Sequence, residues 1–498
     1  MAFDQTTVAH DDILILGAGI SGIGCAAYLS REVPGKTFRI LEMRDDLGGT
    51  WDLFRYPGIR SDSDLYTFAY DFKPWESENA IAQGDEIKRY IGETADDYGI
   101  RDHIHFGRKV IRCDWSSDDG LWTVTTARTE DGTTETWRAR WIFSGTGYYD
   151  YDKGYRPSFP QEETFTGQIV HPQSWPKDLD TTGKRIAVIG SGATAVTLLP
   201  ALAQTAAHVV QVQRTPSYVM PVPRKEALRN KLSKVFSDER TARILRRKNI
   251  WQQQIIWKLC QKYPKAMRKM IRKANVKMLP DGYPVDEHFN PPYDPWDQRL
   301  CAVPGGDLFK RISDGSCSIV TGTMKRFTET GIEMEDGSQV DADIIVTATG
   351  LNLKLVGGAA YSVDGKSVTW SDHIIFKGMM LNGLPNFAMS IGYTTSSWTL
   401  KVGLLCQYFV RLLAEMDRRG MAVCVPVRPK RDMELRPLLD FGAGYVKRSI
   451  DTLPRQGDSY PWEMTFNFRE DEKAVKRGKV IEPELRLSPA PNAKTKAA

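Results

Sequence analysis

Among the side chains of types that move protons or stabilise developing charge, three are the candidates for chemistry: Asp62, His171 and Arg299. His171 lies in FTGQIVHPQSWP, residues 165–176, with the spacing Phe-x-Gly-x-x-x-His-x-x-x-Trp-Pro. Pro172 and Pro176 fix φ locally, so the stretch reads as an extended, stiff connector. It separates two glycine-rich motifs, and a stiff connector there puts His171 within reach of both. The plainer alternative is a linker whose rings pack in a domain interface around a structural histidine. Asp62 ends GGTWDLFRYPGIRSD, residues 48–62. Adjacent glycines suit a chain that passes close to a flat ring system. Asp62 could instead N-cap a helix over the following SDLYTFAY. Arg299 is the last residue but one of NPPYDPWDQRL, residues 290–300, in which the prolines exclude regular structure. Its alternative role is an ion pair with Asp297.

The elements that must position these groups are two strand–turn–helix–strand units. Residues 12–17 (DILILG) read as a short buried parallel strand. Gly17-x-Gly19-x-x-Gly22 follows, then a small-residue helix, then a second strand over residues 38–42 (FRILE) that ends in Glu42. The glycines let backbone amides approach a pyrophosphate at a helix N-terminus, and Glu42 would accept hydrogen bonds from a ribose. With the strand before it and the acid at that distance, the motif reads as an FAD or NAD site. Gly49, Thr50 and Trp51 come next, where the chain would pass the ring system. The second unit runs RIAVIG, residues 185–190, then Gly190-Ser191-Gly192-Ala193-Thr194-Ala195 and an alanine-rich helix. Pro200 is expected to kink that helix or end it early. Residues 208–213 (HVVQVQ) form its next strand, which ends in Arg214-Thr215 where the first unit ends in Glu42. An arginine cannot accept ribose hydroxyls but pairs with a 2′-phosphate, which favours NADPH over NADH. Two such units narrow the field to flavin- and pyridine-nucleotide-dependent oxidoreductases. Residues 48–64 contain no cysteine, which sets aside a dithiol reductase.

Further strands are expected over residues 122–127 and 134–141, around an Asp131-Gly132 turn, and over 141–147 and 340–350; the closing LSPAPNAKTKAA reads as disordered. At 498 residues the chain is expected to form two or three domains. Its net charge of +5 gives no reason to expect nucleic acid. Seven cysteines without a C-x-x-C pair argue against a disulfide framework or a metal site and fit a reducing compartment. MAFDQTTVAHDD lacks a basic n-region, and no apolar run approaches the length of a membrane span. A cytoplasmic location is expected. Residues 224–277 differ from the rest, with 18 Lys or Arg against 3 Asp or Glu, which leaves the remainder of the chain at about −10. Trp251, Ile255 and Leu259 fall at helical spacing, so amphipathic helices are expected here. Either their basic face is solvated or it contacts an anionic membrane.

The stretches GGTWDLFRYPGIRSDSD, FTGQIVHPQSWP, VIGSGATAVTL, PWDQRLC, ATGLNL, KGMML and SWTLK together resemble the type I Baeyer–Villiger flavoprotein monooxygenases. The chain is most similar to the branch of mycobacterial ethionamide-activating monooxygenases, over residues from about 12 to about 480. The resemblance implies an α/β fold of two Rossmann-like dinucleotide-binding domains, one for FAD and one for NADPH, with a helical insertion in the latter. The implied boundaries are 1–150 and 351–485 for the FAD domain, 151–223 and 291–350 for the NADPH domain, 224–290 for the insertion and 486–498 for a tail. It implies an NADPH- and O2-dependent conversion of ketones to esters or lactones through a C4a-peroxyflavin, with oxidation of sulfides and thioamides besides. In that chemistry Asp62 lies beside the flavin and Arg299 favours the anionic oxidant. A cation at ~4 Å in an effective dielectric of ~20 is worth roughly 4 kcal/mol, or about three pKa units. Many members carry a lysine just before the active-site arginine. Here that residue is Gln298, so reading of the 2′-phosphate rests on Arg214 and Thr215. The alternative activity is a flavin monooxygenase specialised for sulfur or nitrogen oxygenation. A non-catalytic nucleotide sensor at a membrane surface is a third reading.

Overall fold

The computed structural model describes residues 10–298, 300–393, 396–439, 442 and 444–491. The chain opens with strand β1 (Asp11–Leu16), helix α1 (Ile20–Glu32) and strand β2 (Phe38–Leu41). From Ile13 onward β1 has no exposed side, as expected of a strand covered on both faces. Strands β3 (Ile104–His105), β4 (Arg108–Ser116), β5 (Leu121–Arg128) and β6 (Thr134–Ser144) follow. The two strands expected over residues 134–141 and 141–147 are this one element. Its first half pairs with β5, from Thr134 opposite Ala127 to Ala139 opposite Trp122. Its second half runs parallel to β1, with Phe143 opposite Ile15. Alternation suited to a hairpin therefore gives way to a fully apolar run within one strand.

The chain then builds a second sheet from β7 (Gln168–Val170), β8 (Arg185–Ile189) and β9 (His208–Gln213), with helix α2 (Ala193–Leu202) between the last two. Pro200 sits in the last turn of α2, which ends two residues later. Helices α3 (Asp238–Lys262) and α4 (Pro264–Met278) interrupt this unit before it closes with β10 (Cys317–Thr321) and β11 (Ile344–Thr347). Its order is β10-β9-β8-β11-β7, and every pairing is parallel. The stretch expected as a stiff connector thus supplies an edge strand, and then turns in a 3₁₀ helix over Pro172–Ser174. The strand expected over residues 340–350 is split. Val340 pairs with Ile332 in a small antiparallel sheet, while Asp343 binds the backbone and guanidinium of Arg185 and ends that excursion.

The remaining chain returns to the first sheet with β12 (Ala360–Val363), β13 (Lys366–Ser367) and β14 (Phe387–Met389), followed by helix α5 (Trp398–Arg418). The first sheet has the order β13-β12-β4-β5-β6-β1-β2-β3, with β14 also beside β6. Helix α5 covers α1, and Cys25 of α1 contacts Cys406 of α5 in a core that includes Ile23, Leu29 and Phe409. Each fully buried aliphatic side chain of this kind contributes roughly 1.5–3 kcal/mol. All seven cysteines are buried thiols. At the expected start of the tail, Leu485–Ser488 pairs as a strand with Val423–Pro426. Among the described residues no helix is long and apolar enough to cross a membrane.

The insertion is helical, but its apolar stripe is reversed. Trp251 is 53% and Leu259 38% exposed. Ile255 is half-buried, and the buried positions are Thr241, Ala242, Leu245, Asn249, Ile250 and Cys260. Beside its buried apolar groups, α3 turns Arg246 to main-chain carbonyls and Asn249 and Gln253 to the Asp64 carboxylate.

Candidate functional site

Both glycine turns leave helix N-termini open. Neither α1, after Gly19, nor α2, after Gly192, has a side-chain cap or an acid in its first turn. Unpartnered first-turn amides and the positive end of the helix dipole make each an anion site. The turns are closed tightly behind. A Cβ on Gly22 would lie 1.9 Å from the Gly17 carbonyl oxygen, and one on Gly190 would lie 2.3 Å from that of Ala348. Gly49 has φ +57°, and a Cβ there would lie 2.9 Å from Gly19 Cα.

In front of the turns is a cavity of about 310 Å³. Gly17, Gly19, Glu42, Gly49, Thr50, Trp51 and Asp62 line it from the first unit, and Ala193 and Thr194 line it from the second. Glu42 is buried. Its two oxygens accept the Ala18 amide at 2.7 Å and the Arg44 amide at 2.9 Å, and each keeps a lone pair for a further donor. Burial raises its pKa against the lowering effect of those amides. The short helix that carries Thr50 and Trp51 is pinned from below. Asp52 holds Arg44 at 2.6 Å and Lys88 at 2.7 Å. Burial would push the Asp52 carboxyl up, but Lys88 and Arg44 outweigh it and leave the pKa lowered. Trp51 meets Phe68 edge-on at 5.8 Å. Trp398 lies flat against Gly392, where a Cβ would come within 2.3 Å of the ring, and donates to Ser21 Oγ at 3.2 Å.

The structure separates the roles open to Asp62. The cap of the Leu65–Phe68 helix is Asp64, which accepts the Thr67 amide at 3.1 Å. Asp62 is on the cavity wall, near Tyr56, whose phenol is pushed up by burial and by the Asp62 charge. His171 does not line the cavity. Its Nδ1 accepts the Gln173 amide at 3.2 Å and so caps the turn over Pro172–Ser174. The ring lies on Gly154, where a Cβ would meet Cε1 at 2.0 Å. Buried Nε2 faces the main chain at Tyr155 and Gly350 without a well-formed hydrogen bond, and burial lowers the ring's pKa. Gly22, Gly190 and Gly192 do not line the cavity; Gly22 is buried and Gly192 exposed. Arg214 is exposed and Thr215 half-buried at the end of β9. Arg299 lies outside the described residues, and so does any ion pair it makes with Asp297.

Sequence reasoning missed several wall residues from the C-terminal third: Tyr393, Ser396, Trp398 and Tyr445. The Tyr393 phenol donates to Asp471, which also holds the buried Lys401 ammonium at 2.6 Å. SWTLK was the available signal, since it contains both Trp398 and Lys401. Nothing in the spacing pointed to Tyr393 or Asp471.

The glycine turns, the open helix ends and Glu42 fit a dinucleotide. The sequence matches the family described as flavin-binding monooxygenase-like over residues 10–357, more than half of the chain. The chain belongs to that family. Among relatives of this flavin monooxygenase is the FAD-containing monooxygenase EthA of Mycobacterium tuberculosis, 47% identical over 483 residues, spanning 97% of this chain and 98% of that one. The probable FAD-binding monooxygenase AlmA of Acinetobacter baylyi is 44% identical over 474 residues, spanning 94% of each chain. An oxidised steroid monooxygenase bound to NADP shares the fold, with a TM-score of 0.74 at 22% identity over 96% of this chain and 99% of that one. A cyclohexanone monooxygenase bound to ε-caprolactone has a TM-score of 0.73 at 20% identity, over 96% and 100%. The family's two-unit α/β architecture is the one read from the two glycine motifs.

Proposed function

We propose that the protein is an NADPH- and O2-dependent, FAD-containing Baeyer–Villiger monooxygenase that converts ketones to esters or lactones and also oxidises sulfides and thioamides. The observation that carries this reading is a single cavity walled by the first glycine turn and by Ala193 and Thr194, which open the helix after the second, so that two cofactors and a substrate would meet in one chamber. FAD is assigned to the unit formed by residues 1–150 and 351–485, and NADPH to that of 151–223 and 291–350. EthA, an FAD-containing monooxygenase, and AlmA, a probable FAD-binding one, support the first assignment, and the NADP of the steroid monooxygenase supports the second.

When bound, the two cofactors supply a hydride and the activation of O2. The protein's part is to bind, orient and exclude water. Amides after Gly17 and Gly19 would offset the FAD pyrophosphate, Glu42 would take its ribose hydroxyls, and Gly49, Thr50 and Trp51 would border the ring. Gly190, Gly192, Ala193 and Thr194 would do the same for NADPH, with Arg214 and Thr215 at the 2′-phosphate. Asp62 is assigned a place beside the reacting centre and Arg299 the cation that favours the anionic oxidant. His171 acts from behind the wall, by fixing the turn between the two units. Trp51, Phe68 and Trp398 give the chamber its dry faces. The protein is proposed to be cytoplasmic and to lie against an anionic membrane through residues 224–277, which is supported by the outward Trp251 and Leu259.

The test is NADPH oxidation and O2 uptake by FAD-loaded protein with phenyl-substituted and long-chain ketones, with products identified by mass. Ketone-dependent turnover to an ester one oxygen heavier is expected. An untouched ketone beside an oxidised sulfide would replace this reading with one specialised for sulfur or nitrogen oxygenation.

A further inference from the structure

The insertion reaches the cavity from behind, through one carboxamide. Gln253 of α3 donates from Nε2 to Asp64 Oδ2 at 2.6 Å and to Thr67 Oγ1 at 3.2 Å, and its Oε1 accepts from Ser396 Oγ at 2.8 Å. Asp64 is two residues after Asp62 and caps the helix that ends in Phe68. Ser396 comes two residues before Trp398. Asp62, Phe68, Ser396 and Trp398 are all wall residues. Two loops far apart in sequence are therefore joined by one planar group, at its donor end and at its acceptor end.

The rest of the same helix face reinforces the joint. Asn249 donates to Asp64 Oδ1 at 2.8 Å. Arg246 reaches the carbonyls of Tyr66, Thr67 and Ala69, at the open end of the short helix. Ile250 packs with Tyr393 and Leu400. Positions 246, 249, 250 and 253 recur at helical spacing, so α3 presents them together.

We propose that Gln253 is a positioning residue that sets the gap between the Asp62 loop and the Ser396 loop, and so sets which substrates the chamber admits. The proposal rests on the monooxygenase reading for its choice of substrates, but its physical claim does not. A carboxylate in this place would face Asp64 with like charge, and an apolar side chain would release both loops.

The test compares FAD-loaded Gln253→Leu with wild type, using Gln254→Ala as a control. Gln254 bonds Asn467, not either loop. Hydrogen exchange is read in segments 61–69 and 396–400 without turnover, and kcat and KM are read for a small and a bulky ketone. Faster exchange in both segments is expected, with a change of about tenfold in the bulky-to-small KM ratio, the scale of one hydrogen bond to a charged group. The kcat for the small ketone should stay within about twofold. Unchanged exchange, or faster exchange with an unchanged KM ratio, would overturn the proposal. If wild type oxidises no ketone, the monooxygenase reading on ketones fails by itself, and a small and a bulky sulfide replace the pair. Should Gln253→Leu not fold, Gln253→Asn keeps the amide, shortens its reach and gives the same readouts.

Discussion

Gly22 and Gly192 are both motif glycines, yet they are required for different reasons. A Cβ on Gly22 would press on the Gly17 carbonyl at 1.9 Å. That carbonyl cannot retreat easily, because Gly17 is held by its amide to the Leu41 carbonyl at 2.8 Å. Overpacking of this kind costs about 1–3 kcal/mol. Gly192 has φ −79° and ψ −178°, ordinary extended backbone, and nothing lies within 4 Å of a Cβ there. The space it leaves is in front of the α2 N-terminus. Gly22→Ala is therefore expected to lower the melting temperature and the bound flavin together. Gly192→Ala should leave both unchanged and raise the KM for NADPH by about tenfold, since a methyl there would hold phosphate off the amides. Flavin absorbance per protein, a melting curve and NADPH kinetics decide it. A Gly22→Ala protein with wild-type flavin content and melting would show that the turn is looser than drawn.

At the scale of elements, β1, β2, β8 and β9 were legible because each is a short aliphatic run bracketed by a glycine turn or an end-of-strand polar residue. Those signals are local, and so is the chemistry of an open helix end. Elements whose pairing changes along their length were not legible. β6 changes partners at Ala139, and Val340 leaves for a neighbouring sheet before β11 begins. Asp62 and Asp64 both precede the same helix, and only the position of its first turn decides which of them caps it. The sides of α3 could not be told from periodicity, since its inner side mixes core contacts of Ala242, Leu245 and Ile250 with polar contacts of Arg246, Asn249 and Gln253 to carbonyls and a carboxylate. The contact between the two units was likewise invisible in sequence. Gly58 lies so close to α2 that a Cβ would come within 2.7 Å of Ala201 Cβ, and Arg60 pairs with Asp307 at the start of the Asp307–Ser313 helix. The Arg60 side chain is only 6% exposed. Asp307→Ala leaves that guanidinium buried without its main partner and should cost about 3 kcal/mol. Replacing both, as Arg60→Met with Asp307→Leu, should recover most of it. Urea unfolding of the single and double variants measures this, and a double variant as weak as the single one would mean that packing rather than charge holds the joint.

For the molecule as a whole, charge is the most uneven property. An excess of 15 positive charges falls in residues 224–277 of a chain whose net charge is only +5. Part of that excess is offset by acids outside the stretch. Lys225 pairs with Glu78 and Arg272 with Asp286, while Arg246 is turned inward to carbonyls. Lys258, Lys262, Lys265, Lys269 and Lys273 remain exposed on α3 and α4. Interspersed with them are Trp251, Tyr263 and Met270, each at least 50% exposed. Each cation near an anionic lipid surface adds about 1 kcal/mol, and the rings and methionine add apolar burial at the headgroup boundary. The protein is therefore expected to co-sediment with vesicles containing phosphatidylglycerol and not with neutral phosphatidylcholine vesicles. Because the Debye length is only about 8 Å at physiological ionic strength, most of this binding should be lost at about 0.5 M salt. Trp251→Glu should weaken it by about tenfold or more. Trp251 faces away from the cavity, so NADPH turnover in solution should be unaffected. Equal binding to neutral vesicles would assign the contact to apolar burial alone, and no binding to either kind would return the basic face to solvent.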